Sequence, residues 1–427
     1  MPQLLLKNGL VIDPASGLEA KRDLLIEAGR IASLSAKISP PPGCAVFDAA
    51  GLWVFPGFID MHVHAREPGA EKAETLASAA RAAAAGGVTS ALLMPNTSPP
   101  MATAALLKKY RARAAGLPVN FYFSAAITAG RAGKRLSGLA GLKKAGALAF
   151  TDDGACLEDG GLFRRAVKTA ARLRLPLLDH PELSGLSGAG VLNRRVPGFR
   201  LPAIGSESEV FAVLRDIMAA ADCGPVHLQH LSLSASVGAL RAAKAAGVPV
   251  TGETCPHYFT LSDRDLDPRD ANFKMKPPLR SPADRTAVLK ALADGTIDVI
   301  ATDHAPHERF LKAKGFLKAP FGVIGLETLA PLCVTELVFN NRMPKLRLAR
   351  LLSANPARLL GLRRKGALTP GFDADITILD PRAEHRVPER FFSLSSNSPF
   401  KGRRLKGWPS AVISRGIFIF KDGRVIC

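Results

Sequence analysis

The chain has 427 residues, 47% of them hydrophobic, a formal net charge of +20 and six cysteines. That length supports one large domain with a smaller one beside it. No run reaches the about 20 apolar residues that cross a bilayer, so no membrane span is expected. Cys44, Cys156, Cys223, Cys255, Cys333 and Cys427 have no paired spacing, which argues against a disulfide scaffold or a cysteine-zinc module and fits a reduced, cytoplasmic chain. The opening residues carry no basic segment followed by a long apolar stretch, so a secretory leader is not expected. The basic residues are spread along the chain. The densest cluster, Lys401 to Lys406, has no aromatic interleaving beyond Trp408. Solvated helix faces are therefore expected rather than a nucleic-acid surface, although such charge can concentrate an anionic substrate.

Residues 3–54 hold short β runs with turn signals: Leu4–Leu6, Leu24–Glu27, Arg30–Ser33 and Ala45–Asp48. Eight apolar runs follow: Phe55–His62, Val88–Met94, Val119–Ile127, Ala147–Asp153, Leu175–His180, Pro225–His230, Val248–Glu253 and Asp298–His304. Between several of them lie helical patterns, most clearly Leu76–Ala85, Leu162–Leu173, Glu207–Ala221, Ala235–Ala246 and Ala283–Ala293. Repeated strand-helix alternation predicts an α/β chain with a parallel sheet closed into a (β/α)8 TIM-like barrel over residues 55–365. The end, 366–427, returns to β runs: Asp375–Leu379, Ala411–Ser414 and Ile417–Lys421, then the tight-turn pair Asp422-Gly423. Residues 1–54 and 366–427 are expected to pair into a small β-sandwich.

Six candidate metal ligands lie at the ends of five of these runs. His62 and His64 are two apart at the end of the first, so both point to one face. Asp153 closes the fourth run, His180 the fifth, His230 the sixth, and Asp303 lies at the end of the eighth. A single histidine at a strand end is more often structural. Active sites of such barrels, however, lie at the C-terminal strand ends, so six ligand-type side chains would meet at one mouth. Imidazoles and carboxylates there suit a zinc-like ion and metal-assisted hydrolysis. Arg66, in Arg66-Glu67-Pro68-Gly69, offers a planar fork for a carboxylate; the competing reading is an ion pair with Glu67.

With Val54-Phe55-Pro56-Gly57-Phe58-Ile59-Asp60, the His62/His64 motif, Met94-Pro95-Asn96-Thr97 and Gly371-Phe372-Asp373-Ala374-Asp375, nearly the whole chain resembles the amidohydrolase superfamily, and within it the class I bacterial-type dihydroorotases. The resemblance implies a metal centre of one or two zinc ions on His62, His64, Asp153, His180, His230 and Asp303. It selects Asp153 over Asp152 by the 27-residue spacing to His180. It implies no modified lysine bridge, since Thr151-Asp152-Asp153 ends the fourth run and Lys143 and Lys144 lie too early. It implies reversible cyclisation of N-carbamoyl-L-aspartate to dihydroorotate in pyrimidine biosynthesis, by metal-activated water with Asp303 carrying the proton.

The resemblance also implies substrate contacts from His64, Arg66, Asn96, His307, Phe321 and Gly322, with a turn role as the rival reading of Asn96. His257 is read as mainly structural, and His227 and His385 are given no role. Lys312 and Lys314, within 308–320, are expected in a mobile cover. One departure stands out: Lys276 occupies the position of a usual substrate-contacting asparagine, where three readings are open: it pairs with the substrate carboxylate, it repels the metals, or it signals a different acidic substrate. A homodimer is expected, with association with aspartate carbamoyltransferase open. The alternatives are another cyclic amidohydrolase (hydantoinase, dihydropyrimidinase or allantoinase), which would turn over uncharged rings, and a metal-free scaffolding subunit.

Overall fold

The computed structural model describes residues 3–193 and 201–426, so Cys427 lies outside the described residues. All eight apolar runs contribute parallel strands to one sheet. In spatial order they are Phe58–Val63, Val88–Leu93, Asn120–Ala125, Ala149–Phe150, Leu177–Asp179, Val226–Leu228, Val250–Thr254 and Val299–Ile300. Chain order equals spatial order, which is what right-handed strand-helix-strand units produce. The last strand returns to the first through a parallel bridge between Val63 and His304, and His64 N–H donates to the His304 carbonyl at 2.9 Å. Asp60 reinforces this seam. Its carboxylate accepts from the backbone N–H of His62 and of Thr302, each at 3.1 Å, and from the Thr302 hydroxyl at 2.5 Å.

The helices follow their apolar stripes. Gly160–Arg172 buries Leu162, Phe163, Ala166, Val167 and Ala170 and turns Arg164, Arg165 and Lys168 outward. Asp159 caps it, accepting from Leu162 N–H at 2.8 Å, which stabilises such a helix start by about 1 kcal/mol. Pro282–Asp294 begins with a reciprocal Ser281/Asp284 capping box and ends at Gly295 with φ +94°, a left-handed stop.

The chain ends form one nine-stranded sheet, joined where Trp53–Pro56 runs antiparallel to Ile376–Leu379. Period-2 alternation gives it two buried faces. Val11, Val54, Ile378, Ala411 and Ile413 pack in the sheet's own core, whereas Ile12, Phe55, Leu379 and Val412 pack in the barrel's outer core. The sheet rolls over its own core. Arg30, on an edge strand, bridges Asp373 just before the strand Ile376–Arg386, although three strands separate the two in the sheet order. That rolled sheet is the form the expected sandwich takes. The Asp422-Gly423 turn has φ +50° and +76°, as a primed hairpin turn requires.

Two boundaries differ from the expectation. The first apolar run divides at Gly57: Phe55 and Pro56 belong to the terminal sheet and Phe58 starts the barrel. Gly57 permits the division because a Cβ there would lie 2.2 Å from Thr89 Oγ1. Within the C-terminal segment, residues 387–403 leave the sheet and brace the barrel mouth. Ser395 Oγ donates to the Ala73 carbonyl at 2.7 Å, and Asn397 Nδ2 donates to the carbonyls of Ala305 and Gly322, each at 3.0 Å.

Candidate metal centre and substrate pocket

A cavity of about 400 Å³ opens at the C-terminal ends of the barrel strands. Eleven of the twelve residues singled out from the sequence line it, and the twelfth, His62, lies directly beneath with no exposed surface. A larger cavity of about 480 Å³ lies on the far side of His307, among Arg269, Arg309, Lys312, Arg390 and Lys401. Among the described residues its charged wall has no comparable group of ligand-type atoms, so the smaller cavity is the candidate site.

His62 Nε2 stands 3.1 Å from Asp153 Oδ1 and 3.4 Å from Asp303 Oδ1. His64 Nε2 is 3.0 Å from Asp303 Oδ1 and 3.5 Å from Asp153 Oδ2. His180 Nδ1 is 3.6 Å from Asp153 Oδ1 and only 2.7 Å from His230 Nε2. Ligand atoms of His62, Asp153 and His230 lie within 4.8 Å of one another, as do those of His62, His64 and Asp303. His62 thus belongs to both groups.

A divalent cation fits this donor set. Glu253 Oε1 lies 2.8 Å from His62 Nδ1, so Nε2, buried and without a hydrogen-bond partner, faces two carboxylates. Burial opposes a charge on the ring, but Asp153 and Asp303 outweigh it and push His62 well above its ordinary value, so the cluster calls for positive charge at this point, from a second proton or a cation. The facing His180 and His230 nitrogens likewise bring two lone pairs together unless a proton or a cation intervenes. Burial, reinforced by His180 and His62, pushes His230 down to about 3, and burial also lowers His64, so both imidazoles are uncharged at neutral pH as metal ligands must be. Burial opposes ionisation of Asp153, but His62 and His180 outweigh it and hold the carboxylate well below its ordinary range. Arg66, His230 and Asp303 have φ of +57°, +35° and +47°. Such backbone is costly for non-glycine residues and is found where a site demands it.

Asp152 turns away from this cluster. Its carboxylate receives the backbone N–H of Thr128 at 3.2 Å and the Thr128 hydroxyl. Lys143 and Lys144 sit on the exposed part of the helix Leu139–Lys144, away from the mouth. Arg66 does not pair with Glu67, whose carboxylate instead meets Arg113 at 2.5 Å and the Leu76 N–H at 2.9 Å. Arg66 Nε donates to the Pro306 carbonyl at 3.0 Å, and its terminal nitrogen lies 3.3 Å from His307 Nε2. Asn96 Oδ1 accepts from His64 Nδ1 at 2.8 Å while its Nδ2 donates to Asp153 at 3.3 Å, so it orients two candidate ligands as well as lining the cavity. His257 is buried without a partner on Nε2, and burial pushes it down to about 4. Lys312 is a buried brace, donating to the carbonyls of Lys274, Pro320 and Gly322 behind the Phe321-Gly322 wall. Lys314 is exposed.

Sequence reasoning missed the supports. Glu253 holds His62 with one oxygen and meets His227 Nε2 with the other at 3.1 Å, so His227 stands behind the site through Glu253. Asn397, far along the chain, accepts from His307 N–H at 3.1 Å. A buried-strand carboxylate at the end of the run Val248–Glu253 was the available signal for Glu253; nothing local marked Asn397. Glu253→Gln is expected to weaken metal binding about 10- to 100-fold, the usual effect of losing a partner behind a metal-ligating histidine. Competition against a chromophoric chelator measures it.

A parallel eight-stranded barrel with histidines and aspartates at its mouth is the arrangement of a hydrolase of the amidohydrolase type, and its donor set is consistent with a metal ion. The comparisons narrow this. Residues 51–236 match the family described as Dihydro-orotase-like and residues 209–419 the Amidohydrolase family. A dihydroorotase from Pelotomaculum thermopropionicum is 45% identical, over 99% of this chain and all of its own. One from Carboxydothermus hydrogenoformans is 41% identical over 98% of each. Among solved structures, an L-hydantoinase (dihydropyrimidinase) from Arthrobacter aurescens superposes with TM-score 0.91 at 25% identity, covering 100% of this chain and 98% of its own. The chain belongs to the dihydroorotase family of amidohydrolases.

Proposed function

We propose that the protein interconverts N-carbamoyl-L-aspartate and dihydroorotate at this cavity, using zinc held by His62, His64, Asp153, His180, His230 and Asp303. The observation that carries the reading is the meeting of these six side chains beside Arg66, five lining one cavity and His62 beneath it, in a chain 45% identical to a dihydroorotase over 99% of its length. A divalent cation held by these residues would supply two things: a lower pKa for the attacking water and polarisation of the substrate carbonyl. Asp303 takes the proton from the attacking water and delivers it to the ring nitrogen as the amide C–N bond breaks; ring closure reverses these transfers and releases water. Arg66 anchors the substrate carboxylate. Burial lowers its pKa only to about 10, so it stays cationic at neutral pH. His307 is pushed down to about 3 by burial and by Arg66, so it serves as a neutral hydrogen-bonding wall.

The hydantoinase-like backbone gives the rival reading, hydrolysis of uncharged rings. Dihydroorotate and dihydrouracil differ by one carboxylate, so comparing the two decides between them. A pocket built to pair that carboxylate is expected to favour dihydroorotate in kcat/KM by about 10³-fold or more. Equal turnover would favour the uncharged-ring reading. Asp303→Asn is expected to cost about 10²- to 10⁴-fold in kcat, the usual contribution of a positioned proton carrier.

A further inference from the structure

Glu182 has no task in the reading above. It follows His180 by two residues, its side chain is completely buried, and neither carboxylate oxygen has a conventional hydrogen bond. A carboxylate so placed is unfavourable unless a cation stands against it. That cation is Lys276, whose Nζ lies 2.8 Å from Glu182 Oε1. The Lys276 side chain is 28% exposed, lines the cavity, and holds its ammonium 5.6 Å from the centre of the Phe321 ring. An ammonium has three donors. Glu182 engages one from behind, and the others remain for a ligand. Among the described residues, Arg66 is the other cation of the same cavity wall.

We infer that Glu182 is a positioning residue that fixes Lys276 as the second anion-binding cation of this pocket, and that the pair makes the pocket favour open-chain dicarboxylates over monocarboxylates. The inference rests on the dihydroorotase reading and deepens it, because ring closure consumes one of the two carboxylates of N-carbamoyl-aspartate. The long, mobile stem of a lysine needs such an anchor. Glu182 alone behind an apolar side chain would be a buried, uncompensated charge, which explains why the two charges occur together.

The test uses non-reacting probes, so it does not depend on turnover. Calorimetry on the metal-loaded protein compares succinate, with two carboxylates, and butyrate, with one. Wild-type protein is expected to bind succinate more tightly. Lys276→Met is expected to weaken succinate about tenfold and butyrate by less than about twofold. Glu182→Gln is expected to weaken succinate in the protein that keeps Lys276 and to add nothing once Lys276 is methionine. Should Lys276→Met alone fail to fold, the double variant Glu182→Gln/Lys276→Met, which buries no lone charge, carries the tenfold comparison. Equal binding of both probes by wild-type protein, or unchanged succinate binding in the double variant, would overturn the inference. An equal effect of Glu182→Gln on both probes would reduce Glu182 to a packing role and overturn it as well. Succinate selectivity in a protein that does not turn over dihydroorotate would sink the functional reading alone.

Discussion

His62→Ala is expected to remove at least about 10³-fold of the turnover of dihydroorotate and to strip most of the bound metal. His62 is the only side chain shared by both candidate ligand groups among the described residues, and its Nε2 has no hydrogen-bond partner to lose. Glu253 makes the effect larger, because without His62 a buried carboxylate loses one of the two histidines that hold it. In the intact site that carboxylate is ionised: burial opposes its charge, but the hydrogen bonds from His227 and His62 bring it down to about 2. Elemental analysis and turnover on the same preparation check both parts. A His62→Ala protein that retains full metal and more than a tenth of the activity would contradict the placement of the centre.

Arg66→Met is expected to lower kcat/KM for dihydroorotate about 10²- to 10³-fold, mostly through KM, while the slow turnover of dihydrouracil stays near its starting value. The guanidinium has five donors. Nε is spent on the Pro306 carbonyl and one terminal nitrogen faces His307, and this pre-orients the rest without consuming them. Methionine keeps much of the stem's volume and removes the fork. The contrast between the two rings separates loss of carboxylate binding from general damage to the mouth. An equal fall for both substrates would assign Arg66 to holding His307 and the Pro306 backbone rather than to the ligand.

The candidate ligands were legible because each closes, or directly follows, an apolar run, and barrel topology makes every such position converge. The same rule separates Asp153 from Asp152 only with the spacing to His180 added, since both close the same run; the structure turns them in opposite directions. Less could be read where a contact depends on the far end of a side chain or on distant sequence. Asn96 was legible as a mouth residue, but its grip on His64 and Asp153 was not. Lys276 stood out as a departure, yet its partner Glu182 lies 94 residues earlier, and no local pattern joins them. The first barrel strand was misjudged at its start because Phe55 is as apolar as Phe58. The pairing of Phe55 with Thr377 and of Phe58 with Val88 shows that the chain changes sheets between them.

The most direct test of the account is dihydroorotate absorbance during a zinc titration of chelator-stripped protein. The account predicts no turnover at the start, activity rising with zinc up to one or two ions per chain, and no rise in a parallel titration of His62→Ala. Turnover by folded, metal-stripped protein, or folded zinc-loaded protein that leaves dihydroorotate untouched, would contradict it.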